Sequence, residues 1–274
     1  MLIGVPKEIK NNEYRVGLTP AGARELTRRG HSVIVQHNAG HSIALDDERY
    51  VAAGASIVDT AEEVFERAEM IVKVKEPQPN ECRMLSEGQI LFTYLHLAPD
   101  PEQTRLLVES GTTAVAYETV TDPAGGLPLL APMSEVAGRM SIQAGAYCLE
   151  KTHGGNGTLL GGVPGVTPGN VLVIGGGVVG VNAARIALGM GADVVIMDNS
   201  PRKLVELDAL YGPRLKTMFS TEDSVSEYVE RADLVVGAVL IPGAAAPKLV
   251  RQEMLVDMKR GAVVVDVAID QGGC

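Results

Sequence analysis

Val171-Leu172-Val173-Ile174-Gly175-Gly176-Gly177-Val178-Val179-Gly180 is an apolar run that breaks into glycines and resumes as a helical pattern reaching Met190. Gly175, Gly177 and Gly180 have the spacing G-x-G-x-x-G. The first glycine permits a tight turn, the second lets backbone approach a pyrophosphate, and the third lets helix and strand pack closely. The next apolar run, Val194 to Met197, ends at Asp198, 23 positions after Gly175. An acid there can accept hydrogen bonds from both hydroxyls of an adenosine ribose. Strand, glycine turn, helix, strand and acid in this order predict a Rossmann dinucleotide-binding unit. Asp198 would repel a 2′-phosphate, so NAD is expected rather than NADP. Arg202 and Lys203 read equally well as a solvated helix start or as cofactor contacts.

The same alternation extends in both directions. Downstream of Asn170 the strands Leu234 to Val236 and Val263 to Val265 continue the βα series. Upstream, Thr19-Pro20 opens a helix that Gly30 closes, with an oxygen acceptor before the first turn, proline in it and glycine past its end. Val33 to Val35, Ile71 to Val74, Ile90 to Leu95 and Thr113 to Ala116 read as strands. Thr60 caps a helix over 61–68, and Asp100-Pro101 opens another that ends at Gly111. Gly125 to Pro132 reads as a hinge and Ser134 to Glu150 as a long helix entering a second lobe. The expected fold is α/β with two lobes, each a mostly parallel sheet flanked by helices: a substrate and catalytic domain over 1–132, and a Rossmann NAD-binding domain over 133–274.

Composition narrows the classes. The 274 residues allow two lobes or one large α/β unit, and with 4% aromatics and no Trp the core must be built from aliphatic residues. A formal charge of −10 gives no positive field for nucleic acid or an anionic membrane. Cys82, Cys148 and Cys274 are odd in number and lack metal-ligand spacing, so neither a disulfide framework nor a metal site is expected, and a reducing cytoplasm fits best. Pro6, Lys7 and Glu8 follow the first apolar residues too soon for a signal peptide. The uncharged stretch 158–184 is broken by Pro164, Pro168 and several glycines, which argues against a membrane span.

Four residues in or beside loops could carry chemistry: Arg15, Lys75, His96 and Asp270. Lys75 and His96 follow predicted strands, and ligands of open α/β sheets sit off the carboxyl ends of strands. Each also has a plain reading, as a surface ion pair, a solvated strand end, a satisfied histidine or a loop cap. His31, His37, His41 and His153 have no such placement and read as structural or solvent-facing.

The opening Met1-Leu2-Ile3-Gly4-Val5-Pro6-Lys7-Glu8-Ile9-Lys10, with Glu13-Tyr14-Arg15-Val16 and Thr19-Pro20, resembles the alanine dehydrogenase and nicotinamide nucleotide transhydrogenase family. Tyr94-Leu95-His96-Leu97-Ala98, Met133 to Arg139 and Val267 to Gly273 resemble its alanine dehydrogenase branch in particular. The resemblance implies NAD-dependent conversion of L-alanine to pyruvate and ammonium, and the reverse. It also implies a hexamer, with no nucleic acid or membrane as partner. Arg15 and Lys75 would hold the substrate carboxylate; the first offers a planar fork and the second a further cation. His96 would move protons near neutral pH, and Asp270, as a carboxylate, would steady cationic imine and carbinolamine species. Cofactor contacts carried over by resemblance are Ser134, Val178, Val179, Asp198, Lys203, Ser220, Val239, Leu240 and the run Val267, Ala268, Ile269 and Asp270. Family members continue beyond the point that matches Cys274, so a missing C-terminal segment is expected. A transhydrogenase subunit, a catalytically silent NAD-binding fragment and an opine-type or saccharopine-type reductive aminase are the competing readings.

Overall fold

The computed structural model describes residues 1–239, 246–269 and 272–274. The chain divides into two compact units, Met1–Leu130 and Ala131–Cys274. In the first, strands β1 (Leu2–Val5), β2 (Ser32–Gln36), β3 (Ser56–Val58), β4 (Met70–Val72), β5 (Ile90–Thr93) and β6 (Thr113–Ala116) form one sheet. The helices α1 (Pro20–Arg28), α2 (Asp47–Val51), α3 (Ala61–Arg67), α4 (Pro79–Cys82) and α5 (Pro101–Ser110) alternate with them. The strand order is β3-β2-β1-β4-β5-β6, every neighbour parallel.

The second unit opens with α6 (Ala131–Leu149) and continues through β7 (Asn170–Ile174), α7 (Val178–Gly189), β8 (Asp193–Asp198), α8 (Pro201–Tyr211), β9 (Lys216–Phe219), α9 (Glu222–Arg231), β10 (Leu234–Gly237), α10 (Gln252–Asp257) and β11 (Val263–Asp266). Its sheet runs β11-β10-β7-β8-β9, again all parallel. Each sheet therefore reverses its winding once, between β1 and β4 in the first and between β7 and β10 in the second. Ligand crevices of open α/β sheets lie at such reversals, off the carboxyl ends of the strands. The expected class, two parallel sheets flanked by helices, is the observed one.

Local chemistry sets the helix starts. The side chains of Thr19, Thr60, Asp100 and Ser200 accept the N–H of Gly22, Glu63, Gln103 and Lys203, as N-caps do. The central strands β7, β8 and β10 of the second sheet bury both faces, as parallel strands covered by helices must. Val171, Val173, Val194, Ile196 and Val236 pack with Ile142 and Ala183, whereas Leu172, Ile174, Val195 and Val235 pack with Val225, Val229 and Met254.

The structure differs from the sequence reading at several strand ends. β4 stops at Val72 rather than Val74, and β5 at Thr93 rather than Leu95. Ladder-like bonds continue one step, from Lys73 N–H to Phe92 O at 3.1 Å and Tyr94 N–H to Val74 O at 3.2 Å. Beyond that, side-chain carboxylates take the amides of Val74 and Leu95. The short strands β1, β3 and β9 and the short helices α2 and α4 also lay below what sequence periodicity resolves. α6 starts at Ala131, inside the stretch expected to be a hinge.

α6 and α7 touch backbone to backbone: a Cβ on Gly138 would collide with Val179 O and lie 3.0 Å from Asn182 Cβ. Arg139 Nε donates to Asn182 Oδ1 at 3.0 Å beside this contact. Gly138→Ala gains about 1 kcal/mol of helix propensity, but forcing the helices apart costs about 1–3 kcal/mol. Net destabilisation is therefore expected in urea unfolding, and a more stable variant would show that the helices are not in contact here.

Candidate active site

In the first unit the candidate residues gather off the carboxyl ends of β1, β4 and β5. Arg15 lies in the segment between β1 and α1. Its Nε donates to Glu13 Oε1 at 2.8 Å and one terminal nitrogen to Glu13 Oε2 at 2.6 Å. This two-point grip fixes the plane of the guanidinium. The Glu13 side chain is 8% exposed. Its carboxyl is held below the usual carboxylate value, chiefly by the Arg15 hydrogen bond against the opposing effect of burial, with the Lys75 charge adding to the lowering. Glu13 thus feels both the Arg15 and the Lys75 charge. The Arg15 guanidinium also feels Tyr94 and Glu8.

His96 sits three residues past β5 with φ of 49°, a left-handed backbone unusual for a residue with a Cβ. Glu118 explains how it is held. Its Oε1 accepts the N–H of His96 at 2.7 Å and of Leu95 at 3.1 Å. The buried Gln103 side chain donates to Leu95 O at 3.0 Å from the opposite side. The Tyr94 ring stacks on His96 with centroids 6.1 Å apart, and Tyr117 meets Tyr94 edge-on at 4.9 Å. Burial raises the Tyr94 phenol above its ordinary value, with Arg15 pulling the other way and Glu118 adding to the rise. Glu118 and Tyr94 were not singled out from sequence. Tyr94 was within the quoted motif, whereas Glu118, 22 residues from its partner, left no local signal.

In the second unit the glycine turn has the shape its spacing predicts. Gly175 has φ of +109°, and a Cβ there would lie 2.7 Å from Ala238 O and 3.2 Å from Val239 N. A Cβ on Gly180 would collide with Gly175 O, whereas one on Gly177 would meet nothing within 4 Å. The N-terminus of α7 thus opens on free space, and Gly177 at its N-cap supplies no side-chain acceptor. Val178 and Val179 form the first turn. Bare N–H groups at such an end suit a phosphate. Asp198 closes the turn from the other side: Oδ2 accepts Gly176 N–H at 2.7 Å and Oδ1 accepts Ser200 N–H at 2.8 Å. Ser220 N–H donates to Asp198 O at 3.0 Å, which brings that serine to the same corner.

Val239 follows β10 beside Gly175, and Val267 N–H donates to Gly237 O at 2.9 Å, so both border the reversal. Ala268 is buried and Ile269 exposed; Asp266 Oδ1 accepts the Ala268 N–H at 3.0 Å. Ser134 is on α6, one turn before Gly138. Lys203 turns its ammonium to Glu206 at 2.7 Å, and Arg202 reaches the same carboxylate at 3.2 Å. Leu240 and Asp270 lie outside the described residues. The residues present fit a dinucleotide: an open helix N-terminus, glycines at 175 and 180 where a Cβ would strike backbone, and an acid at the end of the second strand. No His, Cys, Asp and Glu grouping suited to a metal occurs among the described residues.

The N-terminal domain model for alanine dehydrogenase/PNT matches residues 4–137 and the C-terminal domain model matches residues 141–274. An alanine dehydrogenase of Halomonas elongata is 61% identical over 274 residues, all of this chain and 74% of that protein. The chain belongs to the alanine dehydrogenase/PNT family. A solved L-alanine dehydrogenase structure superposes over the whole chain and 76% of its own, with a TM-score of 0.95 at 51% identity. A solved transhydrogenase from Sinorhizobium meliloti superposes over the whole chain and 80% of its own, with a TM-score of 0.85 at 28% identity. Of these proteins, the chain is more similar to the alanine dehydrogenases than to the transhydrogenase.

Two outcomes follow from the geometry. Because the folded-state value of Glu13 lies below the ordinary 4.5, its pairing with Arg15 is whole above that value and is lost as pH falls through the depressed one. Glu13→Gln should therefore weaken the acid-side loss of stability below about pH 4.5, measured by urea midpoints across the acid range. Glu118→Ala strips the acceptor from two loop amides, at a cost of about 1–3 kcal/mol. Amide hydrogen exchange should quicken at Leu95 and His96; unchanged exchange there would remove Glu118 from its assigned role.

Proposed function

We propose that the chain oxidises L-alanine with NAD and water to pyruvate and ammonium, and catalyses the reverse reaction. The observation that carries this reading is the gathering of Arg15, Lys75 and His96 off one sheet edge, in a chain whose relatives are named alanine dehydrogenases. The Arg15 fork, steadied in its plane by Glu13, and the Lys75 ammonium bind the substrate carboxylate. Their pairing fixes which face of the α-carbon is presented. NAD, when bound, takes the hydride from that carbon. His96 takes the proton that water releases on adding to the oxidised carbon and returns one to the departing nitrogen, work suited to an imidazole near neutral pH. Its left-handed backbone, fixed by Glu118, sets where that imidazole stands. Asp270 is assigned to steadying the cationic nitrogen species.

Gly175, Gly177 and Gly180 let backbone close on the pyrophosphate while α7 offers its N–H groups. Asp198, already accepting Gly176 and Ser200 amides, keeps lone pairs for the ribose hydroxyls and repels a 2′-phosphate, which favours NAD over NADP. Lys203, Ser134, Val239 and the 267–269 segment are assigned to the rim of the same site.

We also infer a homo-oligomer, a hexamer by family likeness. Val136, Met140 and Tyr147 on α6 and Leu159, Val163 and Val166 in the following segment leave apolar surface exposed. The three cysteines are free, as suits the reducing cytoplasm assigned to this chain, and burial pushes the Cys82 and Cys274 thiols up to about 11 and about 12, which keeps these two as thiols. No helix among the described residues is long and apolar enough to cross a membrane.

The test is NADH formation from L-alanine and NAD. His96→Ala should lower kcat by about 10²–10⁴ while NAD binding is retained. Turnover at the parental rate in that variant would overturn the assignment of His96, and binding of NADP as tightly as NAD would overturn that of Asp198.

A further inference from the structure

A buried ionic group stands at the winding reversal of the first sheet, just behind the proposed substrate cations. Lys73, the first residue past β4, is 0% exposed. Its Nζ is 3.1 Å from Glu8 Oε2 and 2.7 Å from Glu81 Oε1, and those residues are 8% and 2% exposed. The remaining carboxylate oxygens bind backbone. Glu8 Oε1 accepts the N–H of Val74 at 2.6 Å and of Lys75 at 3.4 Å, and Glu81 Oε2 accepts the N–H of Gln78 at 2.8 Å. The loop that carries Lys75 is therefore tied down at Lys73, Val74, Lys75 and Gln78. The segment that carries Arg15 rests on the same spot. A Cβ on Gly17 would lie 2.5 Å from Val72 O and 2.9 Å from Lys73 Cα, so the two backbones are in contact.

Stability alone is a weak reason for such a group, because well-packed apolar replacements of buried ion pairs are often neutral or stabilising. What apolar residues could not supply is an acceptor for the Val74 and Lys75 amides. Glu8 is also among the groups that the Arg15 guanidinium feels. We propose that Glu8, balanced by Lys73 and Glu81, is a positioning residue that holds Arg15 and Lys75 in register for a single substrate carboxylate. This rests on the reading of Arg15 and Lys75 as the carboxylate-binding pair.

Glu8 and Glu81 both face Lys73, but only Glu8 also binds the amide of Lys75. That difference supplies the test. Pyruvate is titrated calorimetrically into the protein saturated with NADH, without ammonium, for Glu8→Gln and Glu81→Gln, with thermal melting alongside. A glutamine at either position sets an amide N–H₂ against the Lys73 ammonium or against the backbone donors, so both variants should melt lower. Glu8→Gln should weaken pyruvate binding roughly ten-fold, about 1.4 kcal/mol, with NADH affinity unchanged, whereas Glu81→Gln should weaken it less than about three-fold, under 0.7 kcal/mol on the same scale. Equal weakening by the two, or none by Glu8→Gln, would overturn the proposal. Should Glu8→Gln not fold, Glu8→Asp, which keeps the charge but stops one methylene short of the Val74 amide, carries the same expectation. Arg15→Gln and Lys75→Gln separate the two levels of inference. If neither weakens pyruvate, the carboxylate-binding reading fails; if they do and Glu8→Gln does not, only the positioning role falls.

Discussion

A backbone amide that leaves a parallel sheet at its carboxyl edge has lost its ladder partner while still screened from water by the helices above, and it must find another acceptor. In this chain carboxylates fill that need at nearly every functional loop. Glu8 takes the amides after β4, Glu118 those after β5, Asp198 that of Gly176 in the glycine turn and that of Ser200 after β8, and Asp266 those of Ala268 and Cys274. Asp233 does the same at the opposite edge, where it accepts from Asn170 N–H at 2.8 Å and pairs with Lys259 at 3.0 Å. Each such bond exchanges a flexible loop for one whose direction is set by the sheet. A charged acceptor makes a stronger bond than a neutral one.

The two units meet this requirement with different results. In the first, the loops so fixed carry the Lys75 ammonium and the His96 imidazole, the groups proposed to meet a small carboxylate substrate. In the second, glycine backbone and the open end of α7 lie at the reversal, with Asp198 at the end of the neighbouring strand. One topology thus serves two chemistries, because the sheet order decides where a ligand can lie and the residues just past the strands decide what it is.

What sequence could reveal follows from distance along the chain. The Rossmann turn was legible because its strand, glycines, helix and acid fall within one βαβ unit, and each has a local reason to be where it is. Capped helices such as those opened by Thr19, Thr60 and Asp100 were legible for the same cause. Arg15, Lys75 and His96 could be picked out as residue types beside strand ends, but nothing local told a ligand contact from a surface charge. The residues that hold them were not legible. Glu8, Lys73 and Glu81 read as ordinary polar positions around short strands, and only the crossing of β1 beside β4 brings them together. Glu118 reaches His96 across a whole helix and strand. Long-range carboxylate-to-amide bonds have no periodicity, which is also why β4 and β5 were drawn too long.

The N-terminus of α7 and the Arg15–Lys75 pair are both proposed here to receive anions, yet the 274 residues together carry a formal charge of −10. Its far field pushes such ligands away, and that repulsion fades over about 8 Å at physiological salt. Attraction begins only once a ligand is inside that distance and meets the local donors. Net charge therefore does nothing to draw an anion in, and discrimination among small anions falls to the short-range donors that the loops present.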